Sequence, residues 1–565
     1  MKYLLCFFLI TNVVFSQGPT VIETNPIPQS MVTAPDDVIT ITFDQPIDEM
    51  TVNPNTFMVF GRWSGPMDGT FSFDSSLTKV IFTPTRDFFF GEWITVQLTY
   101  GIQNLDGLPL THGYGFKYWT KSLPASFDLE YEEQINMRQP GEGSITLYGA
   151  YAGDINNDEL SDLVVVCEDS HDLRLLNNDG ANGFEPFIII EMPNAYRPSA
   201  NGGADFNHDG LIDMAVGNHT PFDDVNVLIG DIDNIFESPV NYQAGEGVRG
   251  IAIADLNGDG WADIATANRA GSSISLIFND GTGVFEPAVN IDSGFVGETA
   301  IAASDLNDDG YVDLLVATYD SNTLVSLLND GTGNFTVFDS VSVGDSPWMM
   351  AIGDVNGDGF VDAAIANRIS DDISIVMSNG LGGLQLDSSY IVGNFPASID
   401  LGDIDGDGDL DFISSNVGES NYVLMENDGS GTFVNPRIYP SPPGGGAACA
   451  ILHDRNNDGT MDISLFDEVV DVVILYTNSP KLSTDDQLAD LDLTLYPNPI
   501  NNVLYITAND YINAVSIVNI LGQDLFNSSV DALNTSIDLS GYAAGTYFIK
   551  VQIGDSVITE KIIKE

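Results

Sequence analysis

Positive charge is scarce in this chain. Its 565 residues carry 18 Lys and Arg against 82 Asp and Glu, a formal net charge of −64. Between residues 125 and 480 there is no lysine and there are only eight arginines. Nucleic-acid binding needs clustered Lys and Arg against phosphate, so this balance argues against it. It argues equally against docking on anionic lipid head groups. Cysteine is scarcer still. There are three, and Cys6 lies in an apolar leader, which leaves Cys167 and Cys449 and no disulfide framework. The five histidines, His112, His171, His208, His219 and His453, form no motif, and no nucleophile signature appears. Long apolar runs are missing too. The run at 3–15 falls below the about 18 residues that span a bilayer, and no later segment is long enough. Core material is plentiful, however, at 43% hydrophobic and 10% aromatic residues, so acidity does not imply disorder. At roughly 150 residues per domain the length suggests about four domains, or fewer if one is a large β-domain.

The start of the chain, Met1-Lys2, an apolar run and then Val14-Phe15-Ser16, reads as a secretory signal over 1–16. Gln17 rather than Cys follows, so no lipoprotein anchor is expected. Secretion permits disulfides, yet only two cysteines remain; stability is expected from core burial or metal.

One pattern organises the middle of the chain. Asp-x-Asn/Asp-x-Asp-Gly-x-x-Asp begins at Asp205, Asp255, Asp305, Asp354, Asp403 and Asp454, with a variant at Asp154 that has Glu159 in place of Gly. The starts are 49–51 residues apart, the mark of a repeat architecture. Each repeat has a short apolar strand entering the acidic loop, a second leaving it, a third alternating strand, and a tight turn such as Asn279-Asp280-Gly281 before a fourth. Four strands per about 50 residues is the cue for a propeller blade. Seven loops predict seven blades. The last repeat stops after its third strand, and the stretch at 127–137 offers a spare fourth that would close the ring and hide open edges. An open solenoid is the alternative.

Within each loop, positions 1, 3, 5 and 9 place oxygen side chains around one point, and position 7 offers its carbonyl. The sets are Asp154, Asn156, Asp158 and Asp162 with Leu160; Asp205, Asn207, Asp209 and Asp213 with Leu211; and Asp255, Asn257, Asp259 and Asp263 with Trp261. Next come Asp305, Asn307, Asp309 and Asp313 with Tyr311, then Asp354, Asn356, Asp358 and Asp362 with Phe360. The sixth is Asp403, Asp405, Asp407 and Asp411 with Asp409, and the seventh Asp454, Asn456, Asp458 and Asp462 with Thr460. Hard oxygen donors without His or Cys suit Ca²⁺, at up to seven structural sites. An EF-hand would need Glu at position 12 and flanking helices, but Thr266, Val316 and Ile365 stand there, inside strand patterns. The sixth loop, with its extra carboxylate, is expected to bind most tightly, and the first is the weakest candidate. The loops hold 25 of the 82 acidic residues.

These residues resemble the FG-GAP/VCBS repeats of integrin-α-type propellers over about 125–480. The resemblance implies a seven-bladed ring with Ca²⁺ loops between the first and second strands of each blade.

The opposite face is where a ligand would be read. Five positions beyond each loop's last Asp stand Cys167, Asn218, Asn268, Thr318, Asn367, Asn416 and Asp467, and His219, Arg269 and Arg368 follow three of the asparagines. Inter-blade loops add Tyr196, Arg197, Arg249 and Trp348. Several of the few arginines on one face would make an acidic-glycan or protein site. The plainer reading is that Asn serves the turns, Arg pairs with local Asp, and the aromatic residues pack between blades. Cys449 occupies a position that is small in other repeats and reads as a free thiol; a ring-closing disulfide with Cys167 is the alternative.

Residues 19–120 read as a β-sandwich of alternating strands separated by Pro, Gly and Asn turns. Asn25-Pro26, Ile41-Thr-Phe-Asp-Gln-Pro46, Phe82-Thr-Pro84, Asn104-Leu-Asp-Gly107 and Phe116 resemble a bacterial Ig-like domain of the SbsA type, which implies a spacer or adhesion module. A linker at 481–491 precedes a last small domain. Its Leu495-Tyr-Pro-Asn-Pro499, Val515-Ser-Ile-Val-Asn-Ile-Leu-Gly522 and Ala544-Gly-Thr-Tyr-Phe-Ile-Lys-Val551 resemble the type A sorting domain of the type IX secretion system, over 492–565. That resemblance implies delivery to the cell surface or beyond, with the secretion machinery as partner. The expected fold is all-β: a seven-bladed Ca²⁺-binding propeller flanked by two small β-sandwich domains. The expected function is a secreted or cell-surface adhesion or recognition protein, not an enzyme, binding glycan, matrix polymer or protein. A polysaccharide lyase-like carbohydrate-active enzyme and a passive spacer are the alternatives.

Overall fold

The structure, a computed structural model, describes residues 17–480 apart from 181–182, 194 and 220–222. It also describes 494–564 apart from 497–498, 501, 520–523, 544 and 554–555. The expected signal at 1–16 and the linker at 481–491 lie outside the described residues. The chain divides into two compact units, 1–480 and 481–565.

The first unit opens with a sandwich of two four-stranded antiparallel sheets. One has the order Val21–Asn25, Ile39–Phe43, Lys79–Pro84, Gly69–Phe73; the other has Gly65–Pro66, Phe57–Gly61, Trp93–Leu98, Tyr114–Trp119. Strict alternation, as in Ile39-Thr-Ile-Thr-Phe43, sends Ile39, Ile41 and Phe43 inward against Phe57, Phe82, Val96 and Leu98.

Seven four-stranded antiparallel sheets follow, six of them built from one repeat each and the seventh from three strands of the last repeat and one from ahead of the first. The second strand of each blade, for example Asp263–Asn268 or Asp313–Thr318, is buried at every residue. Both its faces pack on neighbouring blades, which is why these strands read as continuous apolar runs behind one Asp. The outermost strands, such as Phe335–Ser342, alternate between half-buried and exposed. Blade two departs from the pattern, with the extra hairpin Gly230–Asp231 and Ile235–Phe236 ahead of its fourth strand.

The ring closes with strand Glu130–Asn136, which pairs antiparallel with Val472–Thr477 and completes the seventh blade. Asp471 latches this seam. Its carboxylate accepts from the backbone of Ile145 and Thr146 and pairs with Arg138. Arg455, fully buried, reaches Glu132 at 2.6 Å across the same seam. Cys167 and Cys449 are free thiols, so no disulfide joins blades one and seven.

The second unit is a β domain. Its long strand Val503–Asn519 pairs with Thr494–Tyr496, Asp524–Asp538 and Gly545–Ile553, and the last of these pairs with Ser556–Lys564. Leu504, Ile506, Val515, Ile517, Ile549 and Val551 form its core.

Candidate functional site

The acidic loops share one construction. Positions 4 and 6 are left-handed in every loop, at φ +55° to +78° and +66° to +96°. Glycine fills position 6 six times, and Glu159, at φ +66°, stands there in the first loop. Two amides after these bends close on the first Asp: in the third loop the N–H groups of Asp259 and Gly260 donate to Asp255 at 3.1 and 2.7 Å. The Asn at position 3 donates to the Asp at position 5, as Asn257 does to Asp259 at 2.9 Å. The sixth loop has Asp405 there instead. The oxygens of Asp403, Asp405 and Asp411 lie within 4.8 Å of one another, the one such cluster of acidic, His or Cys side chains among the described residues.

The Asp at position 9 has a second task. In the fourth loop Asp313 accepts from Leu306 N–H at 3.0 Å and from Asn329 N–H, in the third-to-fourth turn, at 2.8 Å. The same pair of bonds recurs in all seven blades. Burial pushes these carboxyls up, to about 7 for Asp162 and Asp313 and about 8 for Asp213, Asp362 and Asp462. Asp403 is raised to about 8 by burial and then by Asp407 and Asp405. Buried carboxylates pressed together want a positive charge. An all-oxygen donor set with that deficit fits Ca²⁺.

The first loop differs. The Arg86 guanidinium, from the Ig-like sandwich, bonds Asp154 Oδ2 at 3.2 Å, and the Asp154 side chain is fully buried. A cation therefore already faces that loop's first carboxylate. This belongs to a wider contact. Gln97 donates to Asp255 at 3.0 Å, Gly115 N–H to Gly310 O at 3.1 Å, and Ala125 N–H to Asp405 O at 2.8 Å. Lys117 donates to Ala303 O at 3.0 Å, Arg62 pairs with Asp400 at 3.0 Å, and Leu123 N–H bonds Gly459 O. The sandwich thus sits on the loop face and bonds to blades one, three, four and six, and the segment that follows it bonds to blades six and seven.

On the far face, seven bulges do the positioning. The first strand of every blade shifts register near its start, skipping Tyr148, Arg249, Thr299, Trp348, Ala397 and Ala448, and Ser199-Ala200 in blade two. A bulged residue leaves the strand alternation and is re-aimed. Beside each bulge, the first residue of the second-to-third turn donates its N–H to the loop before the bulge. Arg269 bonds Gly247 O and Arg368 bonds Ser346 O, both at 2.9 Å. Glu168, His219, Tyr319, Val417 and Glu468 are held the same way.

Two rings of side chains result, and most of their members line a pocket of about 370 Å³ around Arg197, Arg249, Arg269, Arg368, Trp348 and Glu168. Trp348, 6% exposed, is the hub: the Arg368, Arg269 and Arg249 guanidiniums lie 4.4, 5.1 and 5.2 Å from its ring centroid. Arg269 also stacks on Tyr319 at 3.8 Å and Arg368 on Phe395 at 3.6 Å. Glu168 faces Arg197 at 3.4 Å and Arg249 at 3.9 Å. Arg269 and Arg368 have no ion pair among the described residues. The positive field registers on His219, held down to about 4 by burial and then by Arg249, Arg197 and Arg269.

Of the residues expected on this face, the structure brings Arg197, Arg249, Arg269, Arg368 and Trp348 together. Asn218, Asn268 and Asn367 are fully buried. Asn218 bonds Asp224, Asn268 bonds Ser275 and Asn367 bonds Ser374, each inside its own blade. They offer nothing to a ligand. Tyr196 packs on His171 and, like His219, is outside the pocket lining. Tyr148, Glu168 and Glu468 escaped the sequence reading, although the first shares its bulge position with Arg249 and Trp348. The other two share the turn position of Arg269 and Arg368.

The repeats match the FG-GAP-like repeat in six overlapping windows that run from residue 154 to 464, more than half of the chain. The chain belongs to the FG-GAP-like repeat family. FG-GAP-like repeats typically bind Ca²⁺, in keeping with the donor set of these loops. Residues 16–120 match a bacterial Ig-like domain and 494–565 a secretion system C-terminal sorting domain, which marks the protein for export to the surface or beyond. No curated protein matches the chain. Among solved structures it is similar to a virginiamycin B lyase from Staphylococcus aureus (13% identity, 62% of this chain and 98% of that one, TM-score 0.41). It is also similar to an Agrocybe aegerita lectin that recognises non-reducing terminal N-acetylglucosamine (17%, 70% and 94%, 0.40). A putative 6-phosphogluconolactonase from Bacteroides fragilis is a third (16%, 71% and 100%, 0.38). No function passes from likenesses this distant.

Proposed function

We propose that this FG-GAP-like protein is a secreted or cell-surface recognition protein, exported by the type IX machinery. Its propeller is stabilised by Ca²⁺ and reads an extracellular ligand on the far face. The observation that carries this reading is the pocket itself: four of the eight propeller arginines converge on one hollow, on the face that the Ig-like domain leaves free. Residues that merely paired with local Asp would be scattered. Ca²⁺ fills loops two to seven, with the sixth binding most tightly, while Arg86 stands in for a cation at the first.

Catalysis is the second reading, and one observation favours it. Glu468 lines the same pocket as Glu168 and is raised to about 7, by burial and then by Glu168. A carboxyl poised near neutrality is what acid–base chemistry uses. A glycan and matrix binding screen, run with Ca²⁺ and with chelator, separates the readings. Saturable, Ca²⁺-dependent binding without turnover is expected. Cleavage with new chain ends would favour the enzyme, and neither binding nor cleavage would leave a spacer.

A further inference from the structure

The far-face pocket is basic inside an acidic molecule, and its basic groups are unevenly used. Arg197 and Arg249 face Glu168. Yet Arg249, 9% exposed, keeps Nε and Nη1 without a hydrogen-bond partner. Arg269 and Arg368 are half-buried, gripped by aromatic rings on their flat sides, and have no ion pair among the described residues. Aromatic stacking fixes the plane of a guanidinium and leaves its edge, which carries the N–H donors, for an in-plane acceptor. Two fixed forks in a hollow suit a planar or tetrahedral oxyanion.

Resting on the reading that this face is the recognition face, we infer that the pocket takes one carboxylate or sulfate group carried on a saccharide, with Arg269 and Arg368 as its ligands and Arg249 beneath. The rim sets the number of charges. Glu246, Asp320, Asp345 and Glu419 are exposed in the surrounding loops, so a densely charged polymer is repelled while a single anionic group passes. The throat sets the carrier. Asn201, half-buried in the lining, offers a neutral amide that suits a hydroxyl, while Ser199 and Ser398 are buried and bonded to Val248 O and Ser415 Oγ. The pocket's one tryptophan is covered by guanidiniums, so it offers neither the exposed apolar anchor on which peptides are held nor a bare face for stacking a neutral sugar.

Trp348 is the only tryptophan on this face and reports the site directly. The full-length protein in Ca²⁺ is titrated with glucuronate, glucose and the tripeptide Gly-Gly-Asp at constant ionic strength, following tryptophan fluorescence. Glucuronate is expected to bind saturably and at least tenfold more tightly than glucose or the peptide, with sodium sulfate competing. The Arg269→Gln/Arg368→Gln variant is expected to melt as the parent does and to lose that tenfold preference; sulfate competition gives the same answer without a variant. Equal affinity for glucuronate and glucose, or a preference that survives the double substitution, would overturn the inference. Tighter, arginine-dependent binding of the peptide would overturn the saccharide assignment. If glucuronate fails while the binding screen finds a neutral ligand, the anion site falls and the recognition reading stands; if the screen also finds nothing, both fall.

Discussion

Position 6 of the acidic loop shows how one residue fixes a site. It is left-handed in all seven loops, and a side chain there is strained whatever space surrounds it. At Gly210 an added Cβ meets nothing within 4 Å, so Gly210→Ala isolates the backbone effect. We expect a loss of about 1 kcal/mol in a denaturant melt. The glycine was legible in the sequence because a sharp turn demands it. Arg86 was not: it lies 68 residues before Asp154 and in another domain, and no local pattern joins the two. If Arg86 stands in for a cation, Arg86→Gln should raise the bound Ca²⁺, counted by equilibrium dialysis, by one per chain. An unchanged count would refute that role.

At the scale of elements, the turn asparagines hold the blades to one another. Asn329 Nδ2 donates to Val312 O in its own blade at 2.9 Å and to Leu256 O in the preceding blade at 2.8 Å. Asn279, Asn427, Asn478 and Asn178 repeat the bridge, the last to Arg455 O across the ring seam. Asn329→Ala strands two buried carbonyls and should cost about 2 kcal/mol in the same melt; Asp330→Ala, at the exposed tip of that turn, should cost under 1. The sequence showed Asn279, Asn329 and Asn427 as hairpin formers, which they are, and concealed that they are also inter-blade ties. It misplaced Asn218, Asn268 and Asn367 for a related reason. A strand buried on both faces has no polar side to betray its orientation, so the last strand residue and the first turn residue look alike. The bulges that re-aim Tyr148, Arg249 and Trp348 leave no signal in a single repeat.

At the scale of the molecule, the ring depends on pairing between distant segments. Residues 130–136 supply the fourth strand of the last blade, and the count of strands per repeat foretold this. Removing them leaves the seventh blade one strand short with an unpaired edge. The expected result is loss of the parent protein's peak in size-exclusion chromatography, with larger species replacing it. The number of blades, the Ig-like sandwich and the export domain were all readable from repeats and motifs. The seating of the sandwich on the loop face was not, because it rests on scattered bonds such as Gln97 to Asp255 and Lys117 to Ala303.

On the proposed reading, part of the acidic excess that set this chain apart is a store of cation ligands, and this is most directly tested by thermal unfolding of the full-length protein in excess Ca²⁺ and in excess chelator. An ion that binds the folded state alone stabilises it by about 2.7 kcal/mol per site at a hundredfold excess over its Kd. The melting temperature should therefore rise with Ca²⁺ concentration and fall by several degrees on chelation, with the largest single contribution lost in Asp403→Asn/Asp405→Asn. A melting temperature indifferent to Ca²⁺ and chelator would contradict the assignment.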